Sequence, residues 1–565
     1  MSSFFGINIA TQGLYTAKTS LNVTTHNIAN AQTPGYSRQV AEQQALRALP
    51  AYGKGMLGTG SGITNVTQIR NLYYDTKYWN VSKYFGEYEV KSMNLAQLEA
   101  VFNEPSDSGF NVVLNEFFES AQTLSTNPNE EAYRAAFRDS AVSLTTLFNN
   151  MDEQLRNQQR DLNFGVKTKV EEINYIADKI SSLNKQIATI ELHGTQANDL
   201  RDERALLVDD LSKIINVTVK EEEVGNNVNR YFVSINGQVL VDGDATNKLE
   251  VRPREHLENP EDEMDLYDIY WSTGRKFNTT DPNLSGELKG YLDLRDGNNG
   301  ENFTGTIQAV ESDNITVSEI NRNDLPNAGR VLIGNQYVEY SGYDYDEGNE
   351  TITFDLVNAD SVPGDAVDQS IRIGNAMNYK GVPYYMAQLN KFVRTFSNAV
   401  NDLHQQGNDS ADIPLFSYNG YESGDLLDYV NMTAGNFNVD QRILDDLANI
   451  ATAYDTSQGV ENNELILELL DLKHDIDMFD KGKPESFMQA LISELGIDAR
   501  QANSFKEGQT NMMLSIENQR LSYSGVDINE ETTNLLRFQQ AYNLAAKAIS
   551  VMDEIYNVTI NSMGV

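Results

Sequence analysis

The glycines of Gly53-Lys54-Gly55-Met56-Leu57-Gly58 have the spacing of a dinucleotide-binding loop, where bare backbone lets a phosphate approach a helix N-terminus. That chemistry requires a strand before the loop and a helix after it. Here the sequence continues as GTGSGITNVTQIR, which alternates as a strand does, so a turn-forming loop is predicted. Asp344, Asp346, Glu347 and Glu350 around Gly348 offer the clustered oxygens that a hard cation takes. The glycine falls one place early for a helix-loop-helix calcium site and the flanks are strand-like, so a hairpin tip is predicted. His26, His193, His256, His404 and His474 are scattered singly, without an HExxH or an i, i+4 pair, and each is expected to be a surface or capping residue. There is no GxSxG elbow, and the absence of cysteine removes thiolate nucleophiles, thiolate metal sites and disulfides. The acidic runs from Glu221 to Glu223 and from Glu258 to Asp265 read as solvated loops. No catalytic, cofactor or metal site is expected, and the chain reads as non-enzymatic.

Charge narrows the partners. Forty-three Lys and Arg stand against 82 Asp and Glu, a formal net charge of -39, which opposes a nucleic-acid ligand or an anionic membrane surface because both require clustered cations. No apolar stretch approaches the roughly 18 residues of a membrane span. The start, MSSFFGINIATQGLYTAKTS, lacks the charged lead and unbroken apolar run of a cleaved signal peptide. Acid is also unevenly placed: before residue 50 only Glu42 faces Lys18, Arg38 and Arg47, and after 531 Asp553 and Glu554 balance Arg537 and Lys547. Segments so poor in charge tend to lie against protein rather than water.

The elements that hold these ends are legible from periodicity. Ile7, Ala10, Leu14, Ala17, Leu21, Thr24, Ile28 and Ala31 alternate in steps of three and four, the seam of a coiled coil with small knobs. Leu535, Phe538, Tyr542, Ala545, Ile549, Met552, Tyr556, Thr559 and Met563 repeat the pattern. Beside them run Ala541, Leu544, Ala548, Val551, Ile555 and Val558, a second apolar stripe that predicts more than one partner for this helix. Ser20 and Lys547 fall off the first stripes and are expected at exposed or rim positions.

Inward, helical spacing runs from about 130 to 192 and from about 380 to 406. After 461 the chain is helical again through ELILELLDL and SFMQALISEL. Between the helical tracts the period becomes two. Tyr231, Val233 and Ile235 lead through Asn236-Gly237 to Val239 and Val241, a hairpin, and GRVLIGNQYVEYS and ETITFDL are further strands. The predicted fold is α+β and multidomain. Residues 1–70 with 525–565 form paired terminal coiled-coil helices, 71–215 with 376–524 a helical-bundle middle domain, and 216–375 an inserted β-rich outer domain.

Both ends also carry long motifs. Gly13-Leu14, Ala17, Leu21, Asn27-Ile28-Ala29-Asn30 and Thr33-Pro34-Gly35-Tyr36-Ser37-Arg38 resemble the shared start of the flagellar rod, hook and hook-associated proteins. Ser524 to Glu531, followed by Leu536-Arg537-Phe538-Gln539-Gln540-Ala541-Tyr542, resembles their shared C-terminus. Tyr36-Ser37-Arg38, Asn198-Asp199-Leu200-Arg201-Asp202-Glu203-Arg204 and Ser522 to Glu531 are most similar to the hook-associated branch. The likeness covers roughly 1–215 and 380–565. It implies a structural subunit at the junction of hook and filament, forming a ring with its own copies and meeting the hook protein and an adjacent hook-associated junction protein. It further implies export through the flagellar type III apparatus without cleavage, after a cytoplasmic chaperone has held the C-terminal helix. A hook or distal rod protein shares the end motifs but would be β-rich where this chain has its helical tract from 130 to 215. The expected subunit interface is Ile7, Leu14, Ala17, Leu21, Ile28, Tyr36, Arg38, Leu535, Phe538, Tyr542, Ala545, Ile549, Met552 and Tyr556. In the first motif, Asn30 closes a helix and Thr33-Pro34-Gly35 forces a turn that aims Tyr36 and Arg38 away from it, toward a neighbouring subunit or another part of the same chain.

Overall fold

The computed structural model describes residues 5–562 apart from 52–54, 103–108, 193, 226–227, 255–256, 323–324, 326–328, 335, 408–412, 422–426, 428, 456–461 and 480–481. Gly53, Lys54, His193, His256 and Met563 therefore lie outside the described residues. The helices are α1 Phe5–Asn30, α2 Leu72–Phe102, α3 Phe110–Thr126, α4 Glu131–Glu191, α5 Asn198–Ile214, α6 Glu287–Asp296, α7 Val382–His404, α8 Gln441–Asp445, α9 Glu464–Asp471, α10 Pro484–Ser524 and α11 Ile528–Ser562.

The two chain ends meet as antiparallel helices. A methyl on Gly6 would fall 2.9 Å from Met552 Cε and one on Gly13 would fall 4.0 Å from Ala545 Cβ, so seven residues forward on α1 match seven backward on α11. On α1, Ile7, Leu14, Leu21 and Ile28 are half-buried and Ala17 is buried. On α11, Leu535, Phe538, Tyr542, Ala545, Ile549, Met552 and Tyr556 are all half-buried. The second stripe, including Leu544, Val551, Ile555 and Val558, stays exposed. A further face of α1 packs on a hairpin of strands Gln39–Ala45 and Ser61–Gln68. Thr16 Oγ1 donates to Ser61 O at 3.0 Å and Gln43 Nε2 donates to Ser20 Oγ at 2.9 Å. Ser20 is only 2% exposed, so it is not the rim position expected from the stripes: the hairpin covers it. Lys547 is exposed as expected.

Inward of this layer, α2 lies along α10, and the 61 residues of α4 run about 90 Å through two apolar cores. The first core joins α2, α3, α4, α7, α9 and α10 through packed rings, with Phe148 on Phe392 at 5.2 Å and Phe392 on Phe479 at 5.1 Å. In the second, Val166, Ile173, Ile176 and Ile180 of α4 and Leu211 of α5 meet Val233, Ile235, Leu240, Ile269 and Trp271 from strands between 217 and 271. A third core, including Phe303, Val331, Tyr340 and Phe354, fills a closed six-stranded antiparallel barrel over 303–373. The inserted β region therefore has two parts. Strands before residue 272 share their core with the helices, whereas the barrel has its own and enters and leaves at adjacent backbone, with a methyl on Gly374 falling 3.2 Å from Asn302 Cβ.

Local chemistry explains where loops and strands fall. Asn236 and Gly237 both take positive φ, 47° and 74°, as the two-residue hairpin turn requires. At the tip between strands Gln336–Asp346 and Thr351–Leu356, Asp346 Oδ1 accepts the Gly348 and Asn349 amides at 2.9 and 3.2 Å, so this carboxylate serves the turn. Three expectations need correction. Glu221 to Glu223 lie on an exposed strand, Val217–Gly225, not in a loop. The run from Glu258 to Asp265 is not wholly solvated: Asp262 is buried, accepts from Gln159 Nε2 at 2.8 Å, and is pushed up to about 6 by burial, with Arg254 opposing. His404 is a fully buried core residue. Its Nδ1 lies 2.8 Å from Ile413 O, its Nε2 accepts the Ala451 amide at 3.0 Å, and burial lowers its pKa to about 4.

Two outcomes follow. The unfolded chain protonates His404 near pH 6.5 and the folded chain only near 4, so stability present above 6.5 is lost as pH falls between these values, by about 3 kcal/mol. Denaturant titrations of the wild type and His404→Gln at pH 7 and 4 measure this as the difference between their pH dependences, the wild type losing about 3 kcal/mol more than the variant. Excising 303–373 with a short Gly-Ser join should leave the rest folded, whereas excising 216–375 should unfold the α4–α5 region by exposing its core. Circular dichroism and thermal melts distinguish the two.

Candidate functional site: the joint between the paired ends and the body

α1 ends where Asn30 Nδ2 turns back to donate to His26 O at 3.1 Å. The turn that follows needs Gly35, whose φ is +76° and whose missing Cβ would press on Leu206 at 3.3 Å. It folds Tyr36 back onto α1 with its ring edge-on to His26 at 5.6 Å and its hydroxyl donating to Asn27 Oδ1 at 2.8 Å. Asn27, 1% exposed, is the node of this turn: Nδ2 donates to Gln39 O at 2.8 Å and Oδ1 accepts the Gln39 amide at 2.9 Å.

The second motif, at the start of α5, receives the same turn. Ser37 N donates to Asp202 Oδ2 at 2.8 Å, Gln39 Nε2 to Asp199 Oδ1 at 2.6 Å, and Asn198 Nδ2 to Val66 O at 2.8 Å. Arg70 bridges outward, donating to Asp202 Oδ1 at 3.2 Å and to both oxygens of Asp75 at 2.8 and 3.0 Å.

The third motif closes the joint. Arg38 N donates to Ser524 O at 2.8 Å, and the Arg38 guanidinium donates to Glu531 Oε1 at 2.8 Å and to Glu530 at 2.6 and 3.2 Å, joining residues 493 apart in sequence in the first of these bonds. Asp527 Oδ1 accepts the Asn529 amide at 2.8 Å and so caps α11. One turn before the α10 terminus, Arg520 Nη1 donates to Asp209 Oδ2 at 2.6 Å and lies 4.5 Å over the Tyr78 ring, while Trp79 Nε1 donates to Asp209 Oδ1 at 2.7 Å.

Burial sets the electrostatics. It raises the pKa of Asp202 and Asp209, with Arg70 and Arg520 pulling the other way. It also raises the Tyr36 phenol, helped by Asp199, Asp202 and Glu531, so that hydroxyl remains a donor. Burial works against the charge on Arg38 and Arg70, but their carboxylate partners outweigh it and both pKa values rise. The carboxylates of this network accept from guanidinium groups, backbone and side-chain amides and the Trp79 indole, and so clamp the three motifs together. Tyr36 and Arg38 place their polar groups inside the chain, the intramolecular course left open by the sequence. Sequence reasoning quoted Asn27, Asp202 and Glu531 only within motifs; their pairing has no signal in spacing. Among the described residues, no cluster of His, Asp or Glu is arranged to hold a metal.

The model for the flagellar hook-associated protein FlgK helical domain matches residues 95–313, and that for the flagellar basal body rod FlgEFG protein C-terminal region matches 517–563. Flagellar hook-associated protein 1 of Bacillus subtilis (strain 168) is 29% identical over 100% of this chain and 99% of its own length. The Escherichia coli (strain K12) protein of that name is 24% identical over 98% and 99%. A solved structure of the flagellar hook junction protein FlgK from Burkholderia pseudomallei is 15% identical, with a TM-score of 0.48 over 80% of this chain and 100% of that one. Both matched models are of flagellar proteins, one a hook-associated helical domain and one a basal-body rod C-terminal region. Over nearly its whole length the chain is similar to proteins named flagellar hook-associated protein 1.

Asp202→Ala should leave the buried Ser37 amide without an acceptor at a cost of about 1–3 kcal/mol, whereas Asp202→Asn keeps an oxygen there. Hydrogen exchange at Ser37 and Gln39 should accelerate by about tenfold or more in the alanine variant, and less in the asparagine variant.

Proposed function

We propose that this chain is a structural subunit of the bacterial flagellum at the junction between hook and filament, assembled through its paired terminal helices. The observation that carries the mechanism is the outward stripe of α11. Leu544 is 71% exposed, and Val551, Ile555 and Val558 are 44%, 50% and 52% exposed beside the face that already packs on α1. A two-sided apolar helix with one side unmatched calls for another protein surface. The relatives' shared name, flagellar hook-associated protein 1, supports a junction role.

In this proposal the terminal pair is a coiled-coil polymerisation domain, copies form a ring, and the hook protein and the adjacent hook-associated junction protein bind its two sides. A cytoplasmic chaperone covers α11 before type III export, because an exposed apolar helix otherwise aggregates. The barrel projects outward and leaves assembly to the ends.

Leu544→Asp and Val551→Asp should fold like the wild type but lose incorporation onto purified hooks, since a carboxylate buried without a partner costs several kcal/mol, roughly a hundredfold or more in affinity. Ala17→Asp and Ile549→Asp should additionally loosen the α1–α11 pair, seen as faster hydrogen exchange along both helices. Lys547→Asp, at an exposed position off both stripes, should incorporate normally. Incorporation of both outward variants at the wild-type level would reject assembly through this face.

A further inference from the structure

Lys91 is buried, 5% exposed, in the middle of α2, yet no part of the assembly chemistry uses it. Its Nζ lies 2.6 Å from Glu87 Oε1, one turn earlier on the same helix, and 2.7 Å from Asp293 Oδ2 on α6. The Tyr379 ring covers the amine at 4.3 Å and Tyr88 lies at 5.7 Å. The two helices come unusually close here, because Gly290 has no side chain: a methyl there would sit 2.9 Å from Glu87 O and 3.0 Å from Val90 Cβ. Asp293 and Glu87 are themselves 4% and 9% exposed, so a lysine, an aspartate and a second carboxylate share a site with little water.

We propose that Lys91 and Asp293 form an intramolecular amide bond, with Glu87 moving the protons. An amine hydrogen-bonded at 2.7 Å to a carboxylate oxygen stands about 3.5 Å from the carboxyl carbon, within near-attack range. Burial opposes the ammonium while Asp293 and Glu87 favour it, so the amine is a paired cation until a carboxylate takes its proton. Glu87 accepts one proton from Nζ, and the freed amine attacks Cγ of Asp293. The tetrahedral intermediate then expels one carboxyl oxygen as water. Of the three ammonium hydrogens, one remains on the amide nitrogen and two leave in the water, and Glu87 ends as it began. No oxidant or other reactant is needed, and exclusion of bulk water favours condensation over hydrolysis. Lys289, whose Nζ contacts the other Asp293 oxygen at 2.5 Å, is a competing amine on α6 itself and is 19% exposed at its side chain. The product ties α2 covalently to α6, across the boundary between the two cores that share α4.

The test is the intact mass of the denatured full-length chain, followed by peptide mapping. The wild type should be lighter than its sequence by one water, with the loss in a branched peptide joining residues 91 and 293 and no tryptic cut after Lys91. Lys91→Arg should restore the full mass and Lys289→Arg should leave the loss in place. Asp293→Asn, whose leaving group is ammonia, should be lighter by one ammonia instead. Glu87→Gln should slow bond formation by about a hundredfold. A wild-type chain at full mass overturns the proposal whatever the variants do. So does a water loss confined to an unbranched peptide, such as one containing Asp296-Gly297, or a branch at Glu87 or Lys289.

Discussion

Glu531 is a carboxylate almost without water, and the terminal layer depends on the guanidinium that answers it. Arg38 is placed to do so by the turn at Gly35, and its backbone is held at the same time by Ser524. A buried ion pair returns little net stability, because both charges lose their hydration, but a buried carboxylate left alone costs several kcal/mol. The pair therefore acts chiefly by excluding other arrangements of the two ends. Asp202 and Asp209 repeat the device against Arg70 and Arg520, so the first turn, the start of α5 and the α10–α11 connection are fixed together.

That joint gives the long helices a common direction. α4 carries one helix through two cores, and α2 with α10 runs from those cores down to the layer where α1 meets α11. The barrel enters and leaves through adjacent backbone at Asn302 and Gly374.

Much of this was legible in sequence because it depends on neighbours along the chain. The spacing from Ile173 to Ile190 marks α4 almost to its observed end, Asn236-Gly237 marks its hairpin, and the two stripes of α11 separate in space as they do on paper. What failed depends on contacts between distant residues. Ser20 looked peripheral until the hairpin covered it, and His404 looked solitary until Ala451 and Ile413 closed around its ring. The acidic surplus hid Asp262 among solvated neighbours, since composition cannot tell which carboxylate faces a buried arginine. The β region was read as one insertion because period-two alternation looks the same whether a strand packs on another sheet or on α4. For the candidate site, the three motifs were visible but their meeting was not: Arg38 and Glu531 lie at opposite ends of the chain.

The chain has no cysteine, so two introduced cysteines can carry spin labels without interference. With labels at the exposed positions Lys547 on α11 and Tyr175 on α4, the distance distribution between them reports directly on how the paired ends sit against the body. If the joint sets that geometry, the otherwise wild-type chain gives one narrow distance, and Arg38→Ala, with Glu531 left unanswered, gives a broad distribution while the helical content of the body is unchanged. An equally narrow distribution at the same distance in Arg38→Ala would contradict the central role of the joint.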